Sequence, residues 1–427
     1  MVDSIWASSA WCFRKVESVE LLEGERARRR VSLDCMPPPE PQLAYERAER
    51  LRRWRRPKGA AMVPLAFVAK GVVRNLDTEG PDGQSLPVLG REENGELALA
   101  ALACQFEREL GPIAKDVYPY LEQIVFGSPE EAVAAVTGLS PTAGAETDDV
   151  EFEGVSGPLI DLAFDLARSF LLVVLVPRDL VGTRTVLKFS FDWTASRTPA
   201  GIFTGVLASA GYRTQPFALD VGDPSWAASY HLDVRVQAPL QARSLSLPSA
   251  DDGEASAGGD KGLGTLIHAS ASYPYSPPPD REATLQVGVE AASIRLVAIL
   301  VSLFTASVFQ LALWLDGARD ALLEAPDGAV AVLLAAPAVG IALLAGAGES
   351  HLAAALLRPL RWITLSCAAL LAVASATLVG HLHEPWLTWF WIGSAWLAAA
   401  FATYLTVPVI HGTVWAVLLR RSEPSEV

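Results

Sequence analysis

Hydrophobic and polar positions change rhythm along the chain: short alternating runs fill the first part, and unbroken apolar blocks begin near residue 293. In 229–237, Tyr230, Leu232, Val234 and Val236 take one parity, while His231, Asp233, Arg235 and Gln237 take the other. That period of two belongs to a half-buried strand. Within 184–193, Leu187, Phe189, Phe191 and Trp193 oppose Lys188, Ser190 and Asp192 in the same way. Segments 28–34, 62–73, 171–176, 265–273 and 282–291 also read as strands, and Asp82-Gly83 marks a turn leading into another at 86–89. Turns rich in Pro and Gly separate them, with no strand–helix–strand alternation. The pattern predicts a β-rich domain, an antiparallel sandwich-like fold or two related β-units.

A helical insertion interrupts these strands at about 93–138. Asn94 suits an N-cap for a helix to about Leu110, and further helices follow at 115–126 and 129–137. Segment 140–157 is acidic and Gly-rich and reads as a loop, 159–170 as a helix, and the Pro/Ser/Gly-rich 248–264 as a mobile loop.

The last third holds four apolar blocks, about 295–315, 328–348, 361–380 and 386–410. A helix of about 20 residues spans about 30 Å, the thickness of a bilayer's hydrocarbon core. Four such blocks joined by short links leave too little polar surface to be wetted, which predicts a C-terminal four-helix, all-α transmembrane bundle. Trp362, Trp386, Trp389 and Trp391 lie near span ends, where an indole buries its ring and keeps its N–H hydrated. Ala368, Ala372 and Ala376 put small residues on one helix face, as do Ala336 and Gly340, which favours close helix packing. Pro337 and Pro408 each remove a backbone donor and are candidate kinks.

The organisation expected is therefore a multi-domain membrane protein. It has a β-rich domain over 1–292, a transmembrane domain over 293–421 and a short tail over 422–427. The last strand candidate ends so close to Arg295 that the β-domain should rest against the bilayer.

Composition sharpens this picture. Of 427 residues, 51% are hydrophobic and 19% charged, which excludes a wholly disordered chain. The net charge is −14, which argues against nucleic acid as a partner, because such binding rests on neutralising phosphates. Arg281, Arg295, Arg358, Arg361, Arg420 and Arg421 flank one side of the four spans, and only Arg319 flanks the other. The positive-inside rule then puts both termini in the cytoplasm of a multi-pass protein of the cell (plasma or inner) membrane. The apolar stretch 5–13 follows an acidic start and does not read as a signal peptide. Usage of 28 Arg against 6 Lys suits a GC-rich bacterial genome.

Candidate chemistry is sparse. Cys12, Cys35, Cys104 and Cys367 form no CxxC pair, and reduced thiols are expected. His381, His383 and Glu384 share a short link between spans, and His231 takes an ordinary surface position on a strand's polar face. The glycine-rich 258–265 lacks the Gly-Lys-Ser/Thr of a phosphate loop and precedes a strand rather than a helix. No catalytic, cofactor-binding or metal-binding residue stands out. The densest basic patch is Arg47, Arg50, Arg52, Arg53, Arg55, Arg56 and Lys58 with Trp54 inside it, a candidate for lipid-headgroup contact beside its reading as a solvated, salt-bridged helix. The spans carry no interior charge of the kind that couples ion movement.

The expected function is a non-enzymatic anchor or scaffold that displays a cytoplasmic protein-interaction domain at the membrane surface. Its partners would be membrane lipid and either another protein or further copies of the chain, with strand edges and the helical insertion as contact surfaces. The alternatives are a membrane-bound enzyme acting on lipid or a small ligand, and a transporter or channel component.

Overall fold

A computed structural model describes residues 11–22, 26–38, 59–71, 73–112, 117–139, 156–194, 212–221, 227–237, 240–247, 264–272, 282–289, 294–314, 351–379 and 386–422, with isolated positions at 207, 209–210, 224 and 335. Among the described residues the strands are β1 (Cys12–Leu21), β2 (Arg26–Cys35), β3 (Ala60–Ala69), β4 (Arg74–Glu79), β5 (Ser169–Pro177), β6 (Thr185–Thr194), β7 (Gln215–Asp220), β8 (Ser229–Arg235), β9 (Leu240–Ser246), β10 (Leu266–Ala271) and β11 (Glu282–Val289). The insertion forms α1 (Arg91–Leu110), α2 (Tyr118–Phe126), α3 (Pro129–Leu139) and α4 (Gly157–Arg168). Three long helices follow, α5 (Ile294–Trp314), α6 (His351–Val379) and α7 (Trp386–Ser422).

A six-stranded sheet, ordered β10-β8-β1-β2-β6-β4, forms the floor of the β-rich region. Its pairings are antiparallel except β1 with β8, which run parallel, so the expected all-antiparallel arrangement fails at the sheet's centre. No hairpin constrains that pair, because about two hundred residues separate the two strands in sequence. The inner face of this floor carries two covers. A sheet ordered β7-β11-β9 closes over β8 and β10, joining Tyr230, Leu232, Val234 and Ile267 to Phe217, Leu245 and Leu285 in one apolar core. The β3-β5 ribbon closes over β2 and β6, joining Val31, Leu33, Leu187 and Phe189 to Val63, Leu65, Leu172 and Val174. Helices α1 to α4 then cover the ribbon's other face, packing Leu97, Leu102, Phe106, Leu121 and Ile124 against Met62, Leu171 and Val173. Burial on both faces explains why β3 and β5 read as continuous apolar runs rather than alternating ones.

Local chemistry sets the ends of the insertion's helices. The first begins at Arg91, with Gly90 and not Asn94 as its N-cap. Glu93 accepts the Gly90 N–H at 3.0 Å, and buried Asn94 instead donates to the Leu89 carbonyl at 2.6 Å. Asn94 thus ties the first turn back onto the preceding chain. At the C-terminus of α2, Lys70 Nζ donates to the carbonyls of Ile124 and Gly127 at 2.8 and 3.2 Å, a cation on otherwise orphan acceptors.

Two sheet edges are modified. The largely polar β4 contains a register shift against β6, where Asn75 adopts a positive φ of 52° and donates to Asp192 at 2.6 Å. Strand β7 carries Pro216, which has no N–H to offer.

Between the two covers, the inner face of the floor holds ions. Glu17 is fully buried, and Lys15 and Arg29 nearly so. Arg29 Nε lies 2.9 Å and Lys15 Nζ 3.6 Å from the Glu17 carboxylate, and Tyr230 donates its hydroxyl to it at 3.0 Å. The Arg29 guanidinium stacks 4.6 Å from the Trp193 ring centroid and donates to the Asp220 carbonyl at the end of β7.

Of the four predicted spans, three coincide with helices long and apolar enough to cross a membrane, over 295–314, 357–378 and 386–410. Apart from the isolated position 335, the block 328–348 lies outside the described residues. Helix α6 starts ten residues before the expected 361 and runs through Pro359, and α7 continues past 410 through Pro408 to Ser422. Helix α5 packs against both others. Phe309 meets Phe390 and Trp391 edge-on at one end, and Arg295 donates to the Leu405 carbonyl at 3.5 Å at the other, so α7 runs antiparallel to α5. Cys367 lies 3.7 Å from Ser302, and Phe309 clusters with Leu371 and Leu378, so α6 runs parallel to α5. Leu300, Leu311, Trp314, Trp362, Trp386, Trp389 and Trp396 point outward, and most exposed large apolar side chains among the described residues lie on these helices. That is the surface expected of helices solvated by lipid.

Replacing Glu17 with Gln leaves two buried cations without their anion, at an expected cost of about 3–5 kcal/mol. Replacing Lys15, Glu17 and Arg29 together with Met, Leu and Met should cost far less, since no buried charge then remains. Chemical denaturation of the detergent-solubilised chain, followed by tryptophan fluorescence, compares the two variants.

Candidate functional site

The outer face of the six-stranded sheet is its polar face. The alternation that sends Tyr230, Leu232 and Val234 inward sends Ser229, His231, Asp233 and Arg235 outward. Antiparallel pairing with β10 places His268 opposite Asp233 and Ser270 opposite His231, while β1 brings Arg14 beside Ser229 and Ser18 beside Asp233. Charges continue across β2 and β6 as Arg28, Arg30, Asp34, Lys188 and Asp192. Asp192 is itself buried, held by Asn75 and lying 3.9 Å from Arg28. Arg184 grips Asp34 through two hydrogen bonds of 2.9 and 2.6 Å, which hold that carboxyl below its usual range.

Ser229, His231, His268 and Asp233 form a connected series. Ser229 Oγ lies 3.0 Å from His231 Nε2, His231 Nδ1 lies 3.5 Å from His268 Nε2, and His268 Nδ1 lies 2.6 Å from Asp233 Oδ1. The two rings sit 5.4 Å apart between centroids at an interplanar angle of 29°. An ionised Asp233 can only accept, so it fixes a proton on His268 Nδ1, and in the neutral ring this leaves the lone pair on Nε2. His231 then has two neutral choices. With its proton on Nδ1 it donates to His268 and accepts the Ser229 hydroxyl; with its proton on Nε2 it donates to Ser229, and both facing nitrogens carry lone pairs. Burial lowers the His231 pKa below its ordinary value, reinforced by Arg14 and His268 and opposed by Asp233. The neutral ring is therefore favoured at pH 7.

The cysteines do not combine into a reactive site. Cys12 and Cys35 are buried cross-strand partners, and burial pushes both thiols up to about 12. Such thiols stay protonated at neutral pH and are poor nucleophiles. The basic patch of Arg47, Arg50, Arg52, Arg53, Trp54, Arg55, Arg56 and Lys58 lies outside the described residues, as do His381, His383 and Glu384. Of the glycine-rich 258–265, Gly264 and Thr265 are described; Gly264 pairs with Ala242 in an isolated bridge. Among the described residues no group of three or more His, Cys, Asp or Glu side chains is placed to hold a metal ion.

His268 and Ser229 went unremarked in the sequence. Their parity within 265–273 and 229–237 was readable, but the register that brings His268 onto Asp233 joins strands 37 positions apart between His231 and His268. No protein-family model and no curated protein sequence matches the chain.

Protonating His231 should destabilise the fold. Its pKa is lower in the folded state, so between that value and the unfolded 6.5 the unfolded chain binds more protons, and stability falls as the pH drops through this window. In His231→Gln this part of the pH dependence should disappear. Thermal midpoints of the parent chain and the variant, measured from pH 7 down to 5, test this.

Proposed function

We propose that the chain is a membrane-held scaffold whose β-rich domain presents the polar face of its large sheet to a protein partner. One observation supports this reading above others: the domain and the apolar helices share a single core. Ala298 and Ile299 of α5, Leu357, Leu360 and Ile363 of α6, and Leu405 of α7 belong to the same buried cluster as Leu232, Leu245 and Leu285. Tyr212 packs on Tyr404 at 5.5 Å between centroids. A domain joined this way does not swing on a tether, and its outer face keeps one attitude to the bilayer.

The four-span reading belongs to the same proposal. Helices α5 and α6 run parallel, so the chain between Trp314 and His351 has to return from the far end of the helices to the near end. The uncharged block at 328–348 is long enough to do so through the bilayer. With six flanking arginines on the domain's side and one on the other, the domain and both termini face the cytoplasm.

The test is a photo-crosslinking residue introduced at Ser32 or Ser270 on the outer face, and separately at lipid-facing Leu300, in cells expressing the full chain. Adducts of one discrete mass from the two outer positions, absent from position 300, are expected; twice the chain's mass would identify a second copy as the partner. A cytoplasmic reporter fused after residue 427 should be active. No protein adduct at either outer position, or activity only from an external reporter, would overturn the reading.

A further inference from the structure

The histidine pair on the outer face has a feature that the scaffold reading does not use. Its two inner nitrogens, His231 Nδ1 and His268 Nε2, face each other at 3.5 Å, which is long for a hydrogen bond between them. Two imidazole nitrogens on one tetrahedral cation, each at about 2.0–2.1 Å, stand about 3.4 Å apart. Ring centres in such a pair lie a little over about 5 Å apart by the same geometry, and here the centroids are 5.4 Å apart. The outer nitrogens are also committed as ligation requires. His268 Nδ1 donates to the Asp233 carboxylate, the arrangement that orients a metal-binding histidine and raises its basicity, and His231 Nε2 has the Ser229 hydroxyl as acceptor.

From this geometry we infer that His231 and His268 chelate a divalent first-row transition cation such as Zn²⁺, Ni²⁺ or Cu²⁺. The protein supplies two nitrogen ligands, Asp233 and Ser229 orient them, and water or a donor from another molecule fills the remaining positions. Imidazole suits these metals and not Mg²⁺ or Ca²⁺, which prefer oxygen donors. The site is open: the His268 side chain is 44% exposed and that of Asp233 34% exposed, so a cation reaches it without any opening of the fold. Arg14 on the neighbouring strand opposes cation binding electrostatically, and Asp233 offsets it. Because ligation requires neutral rings, protons and the cation compete for the same nitrogens.

The test uses the full-length chain in detergent without a polyhistidine tag. His381→Ala and His383→Ala are built into the parent to remove the other closely spaced histidines. Titration with Cu²⁺ should show one equivalent bound, with an electron paramagnetic resonance spectrum of two nitrogen ligands, displaced by excess Zn²⁺ and released at pH 5. His231→Gln and His268→Gln should each weaken binding about tenfold or more and reduce the spectrum to at most one nitrogen. Asp233→Asn keeps both ligands but loses the orienting carboxylate, so it should weaken binding by about 10–100-fold while leaving the two-nitrogen spectrum. Far-ultraviolet circular dichroism checks that each variant is folded. Binding unchanged in folded His268→Gln, or a one-nitrogen spectrum from the parent, would overturn the inference.

Discussion

A carboxylate with no access to water has to find its counter-charges inside the protein, and Glu17 imposes that condition on the middle of the large sheet. Its partners come from three adjacent strands: Lys15 from its own, Arg29 from β2 and Tyr230 from β8. Sliding any one strand by a single residue would turn its partner to the opposite face and leave a buried charge unmatched. The ions therefore specify the register of the sheet's centre, including the parallel pairing of β1 with β8, more sharply than apolar side chains could. Arg29 extends that control to a second layer, since its donation to the Asp220 carbonyl sets where β7 ends above the floor. The Trp193 ring against its guanidinium keeps water from the remaining surface of the ion.

This arrangement divides the inner face into two apolar territories. The three-stranded cover and the β3-β5 ribbon each have their own core, with the ions between them. Only the first core continues into the ends of α5, α6 and α7. The helical insertion, stacked on the far side of the ribbon, packs in a separate cluster that contains no residue of the apolar helices. The histidines sit on the opposite side of the floor, facing away from both cores.

Legibility in the sequence followed how each element is buried. Strands β6 and β8 were readable because one face meets a core and the other meets water, and β5 because both faces are buried. Strand β1 was missed for a physical reason: Lys15 and Glu17 occupy inward positions, so the parity that predicts burial carries charges there. Strand β4 was missed because its one large apolar residue, Leu76, is exposed and the buried position is polar Thr78, so no apolar alternation marks the edge. Asn94 misled because its side chain suits a cap, whereas Glu93 and Gly90 make the cap one turn earlier. The three described apolar helices needed only their length and lack of charge. The histidine pair was half legible: each residue's outward direction follows from alternation, but their meeting depends on a long-range register that alternation does not contain.

The treatment of the two modified edges bears on how this domain can meet other chains. An incoming extended peptide gains affinity by continuing a ladder of backbone hydrogen bonds. At β4 it would meet a kinked rim of charged side chains, and at β7 a position with no donor. Templated recruitment of a neighbouring chain is thereby discouraged at these two borders, which lowers the risk of edge-to-edge association there.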